Sequence, residues 1–411
     1  MFMVSEYDVF YVIATKGELR IIDIVNVLNK TKKDYWHISN LVRSLKQKGY
    51  IERKNAVKIL HNEKSEKLFN LISFCINNGM NYNLLFKESM LSFIRKASKK
   101  ELFTIKDVQI HPQTFNFYTQ TLEKYGFLLK LSRKPLKCKL LRHHFLFDLS
   151  SFFGKELVFY KSHLHSFINE IKKALKKYNQ LHKIHYTVLE TLKNKDEINF
   201  IYSSLNLEGN PLTLPETQKL LIEEVIPAKH KFAHLQEVTN YKKAVNLMIA
   251  NAERKTPLNM PLILEYHKIA MTHIPEAGKL REQNVIIKQN PNFKTADFHN
   301  INSKLNSLMK KYIEFESKKR ALEETISFAA FFHNEFQRIH PFIDGNSRLS
   351  RLLMLHILRS HKIPLLDLPI GYFDLYLDLT KRSSQRKDNL LKYLIEELIL
   401  MNLKKINNYF I

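Results

Sequence analysis

The stretch His340-Pro341-Phe342-Ile343-Asp344-Gly345-Asn346-Ser347-Arg348-Leu349-Ser350-Arg351 decides how the rest of the chain is read. Residues 326–339 before it form a strongly apolar helical pattern containing Phe328, Phe331, Phe332, Phe336 and Ile339. Pro341 disfavours helical geometry at the residue before it, so the helix stops at His340 and presents the imidazole at its end. Asp344-Gly345-Asn346-Ser347 is turn chemistry, because Gly and Asn accept left-handed backbone angles. A second helix then starts near Ser347 and runs through Leu352, Leu353, Met354, Leu355 and Ile357. A turn that opens a helix N-terminus offers successive N–H groups and the positive end of the helix dipole to an anion. Arg348 and Arg351 stand three apart, on one helix face, and both reach toward a polyphosphate. Asp344 suits Mg²⁺, which takes one or two carboxylates plus phosphate oxygens. His340 is the group able to take a proton from an attacking hydroxyl.

Composition narrows what such a loop belongs to. The chain has 411 residues, of which 45% are apolar, so it is neither disordered nor too small for substantial cores. Its 9 Gly and 12 Pro are few, which favours long helices and short turns. Cys75 and Cys138 are its two cysteines, excluding a disulfide framework and a thiolate zinc site. The first residues carry Glu6 and Asp8 rather than a basic-then-apolar leader, and no uncharged apolar run reaches the roughly 18 residues of a membrane span. The expectation is a cytoplasmic protein with no membrane partner. Net charge is +25, with +13 in residues 1–150, +4 in 151–200 and +8 in 201–411. The N-terminal excess points to a polyanion, nucleic acid first, although a Lys-rich composition throughout the chain yields the same arithmetic.

The N-terminal third contains a repeat. Leu45-Lys46-Gln47-Lys48-Gly49-Tyr50-Ile51 matches Leu122-Glu123-Lys124-Tyr125-Gly126-Phe127-Leu128 at a spacing of 77. Each glycine ends a helical pattern, and each is followed by a strand-like basic stretch, 52–60 in one copy and 129–141 with Arg133, Lys134, Lys137 and Lys139 in the other. Three helices, a Gly-aromatic pair and a basic hairpin look like the winged helix-turn-helix fold. In the first copy the helices are expected over 5–15, 21–28 and 33–48. Trp36, Ile38, Leu41, Val42 and Leu45 form the buried stripe of the third, while Lys32, Lys33, Arg43, Lys46 and Lys48 lie opposite and can meet phosphates. Modules of this kind also serve protein contacts alone, and both roles stay open. The expected organisation is residues 1–65 and 85–150 as the two modules, 151–200 as a helical linker with one long helix over 163–192, and 201–411 as a helical domain. Within that domain Thr213-Leu214-Pro215-Glu216 carries a capping box and an early-helix proline.

The segment 340–351 resembles the signature of the Fic family, His-Pro-Phe-x-(Asp/Glu)-Gly-Asn-Gly-Arg-x-x-Arg, at eight of nine specified positions. It departs at Ser347, where the family most often has glycine; a glycine-only backbone angle there would conflict with serine. Upstream of His340 by 132 residues, Ser204-x-x-x-Glu208-Gly209 is similar to the family's inhibitory helix. The resemblance implies that Glu208 pairs with Arg351 where the γ-phosphate of ATP must lie. Between the two, Gly278-Lys279-Leu280-Arg281 with Val285 and Ile287 resembles the lead into a β-hairpin flap that covers the nucleotide and holds a target strand. The usual proline-rich flap tip is not reproduced in 288–294. Tyr376 is read as a core residue rather than an adenine platform. The resemblance spans about 201–403.

These features together imply a mainly α protein: a helical Fic-like domain with a β-hairpin flap, preceded by two winged-helix-like modules with small β-wings. By the same resemblance it is a protein adenylyltransferase using ATP and Mg²⁺. Asp344 would hold the metal, Gly345, Asn346 and Ser347 would cradle phosphate, and Arg348 and Arg351 would take the leaving pyrophosphate. His340 would activate a Ser, Thr or Tyr hydroxyl of a target protein or of the chain itself, under inhibition by Glu208, which also serves hydrolytic removal of AMP in some relatives. Two alternatives stay open: a DNA-binding regulator whose Fic-like half senses nucleotide, and an enzyme that uses another donor such as UTP, GTP or a phosphocholine compound. A homodimer is compatible with all three.

Overall fold

A computed structural model of the chain describes residues 4–160, 166–227, 230–287, 290–364 and 367–410. It resolves into two compact units, 1–118 with 144–160, and 119–143 with 161–411.

The first unit opens with α1 (Glu6–Lys16), α2 (Ile21–Val27) and α3 (Tyr35–Gln47), then β1 (Ile51–Arg53) and β2 (Val57–Ile59). Ser5 and Asp8 form the capping box that starts α1. Val9, Phe10 and Ile13 of α1 share a core with Ile24 and Val25 of α2 and with Ile38, Val42 and Leu45 of α3. The strands pair antiparallel with Ile51 opposite Ile59, and Leu19 bridges Val57 as a third edge. Trp36 is not part of the buried stripe expected of it: it is 73% exposed. The helical phase explains this, since 36 falls on the face of 40, 43 and 47, about half a turn from 38, 42 and 45. The unit continues with α4 (Glu63–Asn77), α5 (Tyr82–Leu85), α6 (Glu88–Ala97), α7 (Ile105–Val108) and the start of α8 (Pro112–Lys124), and ends with α9 (His144–Phe152).

The repeated Gly-aromatic pair has one backbone solution. Gly49 and Gly126 both sit at φ +75, and the next amide turns back to close the helix, Tyr50 N–H to Leu45 and Phe127 N–H to Leu122. The second hairpin, β3 (Leu128–Arg133) with β4 (Leu136–Leu140), belongs to the second unit rather than to the 85–150 module expected from sequence. Its Lys139 turns inward to Glu397 at 2.6 Å instead of facing solvent. Gly126 accepts from the Gly371 N–H, and a Cβ on Gly371 would lie 2.5 Å from that same carbonyl.

The rest of the second unit is helical: α10 (Ile168–Ile184), α11 (Tyr186–Asn206), α12 (Leu214–Gln218), α13 (Phe232–Glu253), α14 (Met260–Ala270), α15 (Ile301–Glu316), α16 (Leu322–Ile339), α17 (Asn346–Ser360), α18 (Phe373–Leu379) and α19 (Asp388–Tyr409). The single long linker helix is two, broken at His185, and its expected start at 163 lies outside the described residues. Nor is it a linker. Ile171 and Tyr178 of α10 are buried, Asn407 of α19 donates to Ala174, and α11 runs through position 200 without a break. The lysines at 172, 173 and 176 face solvent, as a solvated helix face requires. Thr213 and Glu216 form the expected capping box. Packing α16 on α17 and α19, and α13 on α14 and α17, fixes where the loop between α16 and α17 sits. No helix among the described residues is long and apolar enough to cross a membrane.

Candidate functional site

The loop 340–345 is held by its own residues. His340 caps α16 in the left-handed region at φ +51, with its N–H returned to Phe336. Its Nδ1 lies 3.2 Å from the Gln337 carbonyl, and Nε2 has no hydrogen-bond partner among the described residues. Burial pushes the imidazole down to about 4, the Gln337 carbonyl opposing this only in part. His340 is therefore neutral at physiological pH, the state a proton acceptor needs.

Asn346 closes the loop from the other side. Its Oδ1 accepts from the Phe342 N–H at 3.0 Å and its Nδ2 donates to the Phe342 carbonyl at 2.8 Å. The amide expected to cradle phosphate is thus occupied in holding the turn. Gly345 precedes it at φ +81, and a Cβ there would meet Met271 Sδ at 2.8 Å and His267 Nε2 at 3.1 Å. Only glycine fits both the angle and the space. No side chain caps the N-terminus of α17, so its first-turn N–H groups face the loop without an intrahelical partner.

Ser347 needs no glycine-only angle: it lies in the first turn of α17 and is not among the residues with positive φ. Its hydroxyl accepts from Gln337 Nε2 at 2.8 Å, while Gln337 Oε1 accepts from Ser350 at 3.0 Å. Gln337 thereby orients His340 through its carbonyl and holds the start of α17 through its side chain.

Both arginines are engaged by carboxylates. Arg351, 1% exposed, donates from Nε to Ser204 Oγ at 2.7 Å, from Nη2 to the Ser204 carbonyl at 2.8 Å and from Nη1 to Glu208 at 3.0 Å. Glu208 follows the end of α11, in a turn closed by Gly209 at φ +91. Its second oxygen meets Lys381 at 3.3 Å. Burial alone would raise the Glu208 carboxyl, but Arg351, Lys381 and Arg348 outweigh it and hold it below its ordinary value. Arg348 pairs with Glu237 of α13 and with Asp344 at 3.1 Å. Glu237 also accepts from Asn210 at 2.7 Å, so both arginines are tied to the 208–210 turn, one directly and one through Glu237. Desolvation pulls the Asp344 carboxyl upward, yet Arg348 and the Gly345 N–H keep it below the usual carboxylate range. It is ionised and 61% exposed, which fits a group that meets a hard cation.

Several of these residues carry no distinctive sequence signal. Glu237 and Lys381 are single charges in unremarked segments. His267 stacks on Phe342 at 3.6 Å, accepts the Gly278 N–H on Nδ1 and so donates Nε2–H to the Asp344 carbonyl at 2.9 Å. Burial lowers its pKa to about 4, in keeping with that neutral tautomer. Arg281, in the Gly-x-x-Arg segment, is buried and donates to the carbonyls of His340, Gln283 and Ala296, fastening the following loop to the site. That loop is pinned at its base by Asn284 to Asp297 at 2.9 Å. It forms no strand ladder among its described residues, since Val285 and Ile287 have no partner strand; Lys288 and Gln289 of the expected tip lie outside the description. Tyr376 is a core residue: its hydroxyl meets His333 at 2.8 Å and its ring lies beside Arg351.

Residues 257–358, which include the whole loop, match the model of the Fic/DOC family. The chain carries a Fic domain. It is 28% identical over 202 residues to the protein adenylyltransferase Fic of Drosophila persimilis, covering 48% of this chain and 38% of that one. It is likewise 28% identical over 214 residues to the namesake in Drosophila erecta, covering 51% and 42%. The match thus spans about two fifths of these relatives' length. Among solved structures, a Fic domain-containing signalling protein from Bacteroides thetaiotaomicron superposes with a TM-score of 0.53 at 21% identity, over 58% of this chain and 97% of that one. Fic-1 from C. elegans gives 0.50 at 18% identity, over 59% and 71%. These structures establish a shared Fic fold.

Replacing Asn346 by Ala frees both main-chain groups of Phe342 in a buried turn, at an expected cost of about 1–3 kcal/mol. Amide hydrogen exchange read at Phe342 and Gly345 checks this: both should exchange faster, with the rest of α17 unchanged.

Proposed function

We propose that the Fic domain transfers AMP from ATP to a hydroxyl of a protein, the chain itself included. The observation that carries this reading is a neutral His340 held beside an uncapped helix N-terminus and two arginines. The adenylyltransferase names of the curated relatives agree with it. The target hydroxyl oxygen attacks the α-phosphorus, the bond from that phosphorus to the bridging oxygen breaks, and pyrophosphate leaves. His340 Nε2 accepts the hydroxyl proton. The N–H groups of the first turn of α17 receive phosphate oxygens, and Arg348 and Arg351 offset the charge of the leaving group. Asp344 is the residue that would hold Mg²⁺, which when bound neutralises phosphate charge. The loop after Arg281, with Ile286 exposed, is the element that would present the target beside the nucleotide.

Glu208 and Glu237 hold the two arginines that this reaction needs. ATP must displace Glu208 from Arg351, and a buried Arg–carboxylate pair resists that exchange. In this reading the same glutamate also serves the reverse hydrolysis. A second role, binding a polyanion, nucleic acid first, falls to the helix–helix–helix–hairpin module of the first unit, which we read as a winged helix-turn-helix. It is favoured because Lys32, Lys33, Arg43 and Lys46 make no ion pair or side-chain hydrogen bond among the described residues.

His340→Ala should abolish transfer of an α-phosphate label from ATP, a loss of about 10²–10⁴-fold or more for a removed general base. The mass of the adduct on the auto-modified protein identifies the donor, and any adduct other than AMP overturns ATP as the donor. Glu208→Gly should raise label transfer roughly 5–150-fold, the range of a typical coupling free energy, and Glu237→Ala should raise it further in that background. Unchanged transfer with unchanged ATP affinity removes the inhibitory role. In Glu208→Gly, where that acid no longer titrates, the rate should fall only as pH drops through about 4, where His340 gains its proton, and not near the usual histidine value of 6.5.

A further inference from the structure

The hydrogen bonds of Arg351 to Ser204 Oγ, the Ser204 carbonyl and Glu208 all end on one segment, the close of α11 and the turn after it. In the proposed reaction Glu208 must withdraw from Arg351 before ATP binds, so the acceptors of this guanidinium stand on the very stretch that has to give way. Tyr376 of α18 is a neighbour on a different element, with Arg351 Cζ 5.8 Å from the centre of its ring. Burial pulls the Arg351 pKa down, but Tyr376 first, with Glu208 and Tyr241, outweighs it and holds it above its ordinary value. Burial raises the Tyr376 hydroxyl in turn, and Arg351 opposes this by its charge and by hydrogen bonding. Of the five N–H donors of a guanidinium, those not given to Ser204 and Glu208 remain for this hydroxyl and for a phosphate.

Behind the Tyr376 hydroxyl stands a hydrogen-bonded chain whose direction its members dictate. Asp388, at the start of α19, accepts the Arg386 Nε–H at 2.6 Å and, as a carboxylate, has only acceptors to offer. It therefore takes an Nδ2–H of Asn334 at 2.9 Å, which turns Asn334 Oδ1 toward the His333 ring, 3.2 Å from Nδ1. An amide oxygen only accepts, so Nδ1 carries the ring proton and Nε2 is bare. Burial pushes the His333 pKa down to about 3, which keeps the ring neutral. Nε2 lies 2.8 Å from the Tyr376 hydroxyl and takes its single proton, leaving that oxygen with lone pairs alone to offer Arg351. Asn334, His333 and Tyr376 are all buried, so solvent does not compete for these protons, and each bond polarises the next. We propose that Tyr376 and His333 are positioning residues, an inference that rests on the adenylyltransferase reading above: the chain holds the Arg351 guanidinium in place for the terminal phosphates of ATP after Glu208 has withdrawn. With the other His333 tautomer, Tyr376 would turn its proton toward a positive charge.

The experiment takes the full-length protein with Glu208→Gly as parent and measures its affinity for ATP and for AMP by calorimetry, beside the kinetics of label transfer. AMP lacks the phosphates that reach Arg351, so its affinity reports the rest of the site. Adding Tyr376→Phe removes one oxygen and keeps the ring. It should weaken ATP about tenfold or more and raise KM for ATP in proportion, with AMP affinity and far-UV circular dichroism unchanged. His333→Leu should reproduce the loss through Tyr376, and the double variant should be no weaker than either alone. His333→Gln, whose amide can accept from Tyr376 and donate to Asn334, should recover most of it. Ring ¹⁵N shifts read the tautomer in the parent itself, the His333 signals being those lost in His333→Gln: Nδ1 should be protonated and Nε2 bare. The opposite tautomer, an equal loss for AMP and ATP, or additive losses in the double variant overturns the chain. Unchanged ATP affinity with Tyr376→Phe, in a parent that transfers AMP, overturns it and leaves the transfer reading in place. A parent that shows the expected ATP losses but transfers no AMP keeps the chain and overturns the transfer reading. A parent that binds no ATP overturns both.

Discussion

A guanidinium with almost no exposure is the constraint around which the Fic domain is arranged. Arg351 has lost its water, and an unpaired charge in such a place costs several kcal/mol. Its Nε and Nη2 are satisfied by Ser204, and its Nη1 by Glu208, all on the end of α11 or the turn that follows it. Ser204 in turn meets Tyr241 at 2.9 Å, and Tyr241 donates to the Arg348 carbonyl at 3.2 Å. The end of α11, the middle of α13 and the first turns of α17 are therefore one hydrogen-bonded body. The Arg351–Glu208 contact satisfies a buried ion from within the domain. The charges of Arg351 and Arg348 are balanced by carboxylates of the same domain.

Around this body the loop 340–345 is narrow in its choices. Left-handed backbone at His340 and Gly345 turns the chain twice within a few residues. Asn346 closes the main chain between those turns, and His267 and Arg281 grip it from outside through the carbonyls of Asp344 and His340. Side chains that look alike as ligand-binding groups in the linear sequence therefore differ in their engagement. Among the described residues His340 keeps Nε2 without a partner and the first-turn amides of α17 have no cap, while Asn346 and Ser347 are committed to the scaffold. The serine where the family most often has glycine is accommodated because the position is helical and because Gln337 supplies its hydroxyl with a partner.

The two Gly-aromatic repeats show how one local rule leads to two uses. Each glycine permits the same helix-closing bond, and each is followed by a hairpin. In the first copy the basic residues near the hairpin stay exposed. In the second, Lys139 is drawn against Glu397 and the hairpin becomes part of the second unit, with Gly126 in backbone contact with Gly371.

Sequence by itself determined the elements whose cause is local. Pro341 ends α16, Gly345 turns the loop, Thr213 and Glu216 cap α12, Gly49 and Gly126 close their helices, and the spacing of Arg348 and Arg351 puts both on one face. The signature and the Ser204–Glu208 pattern were legible because each packs its chemistry into a few consecutive residues. The tertiary structure alone decided what depends on long-range placement. Glu237 stands far from Arg348 in sequence and Lys381 far from Glu208, and nothing near either predicts its partner. It also decided that Trp36 faces outward, because apolar character does not fix helical phase when several apolar residues compete for one buried face. It decided that residues 168–206 are not a linker, since α19 packed against α10 and α13 packed against α11 give their apolar faces a place to go. Local bond geometry is written in neighbouring residues; the partner of a buried charge is known only once the chain has folded back on itself.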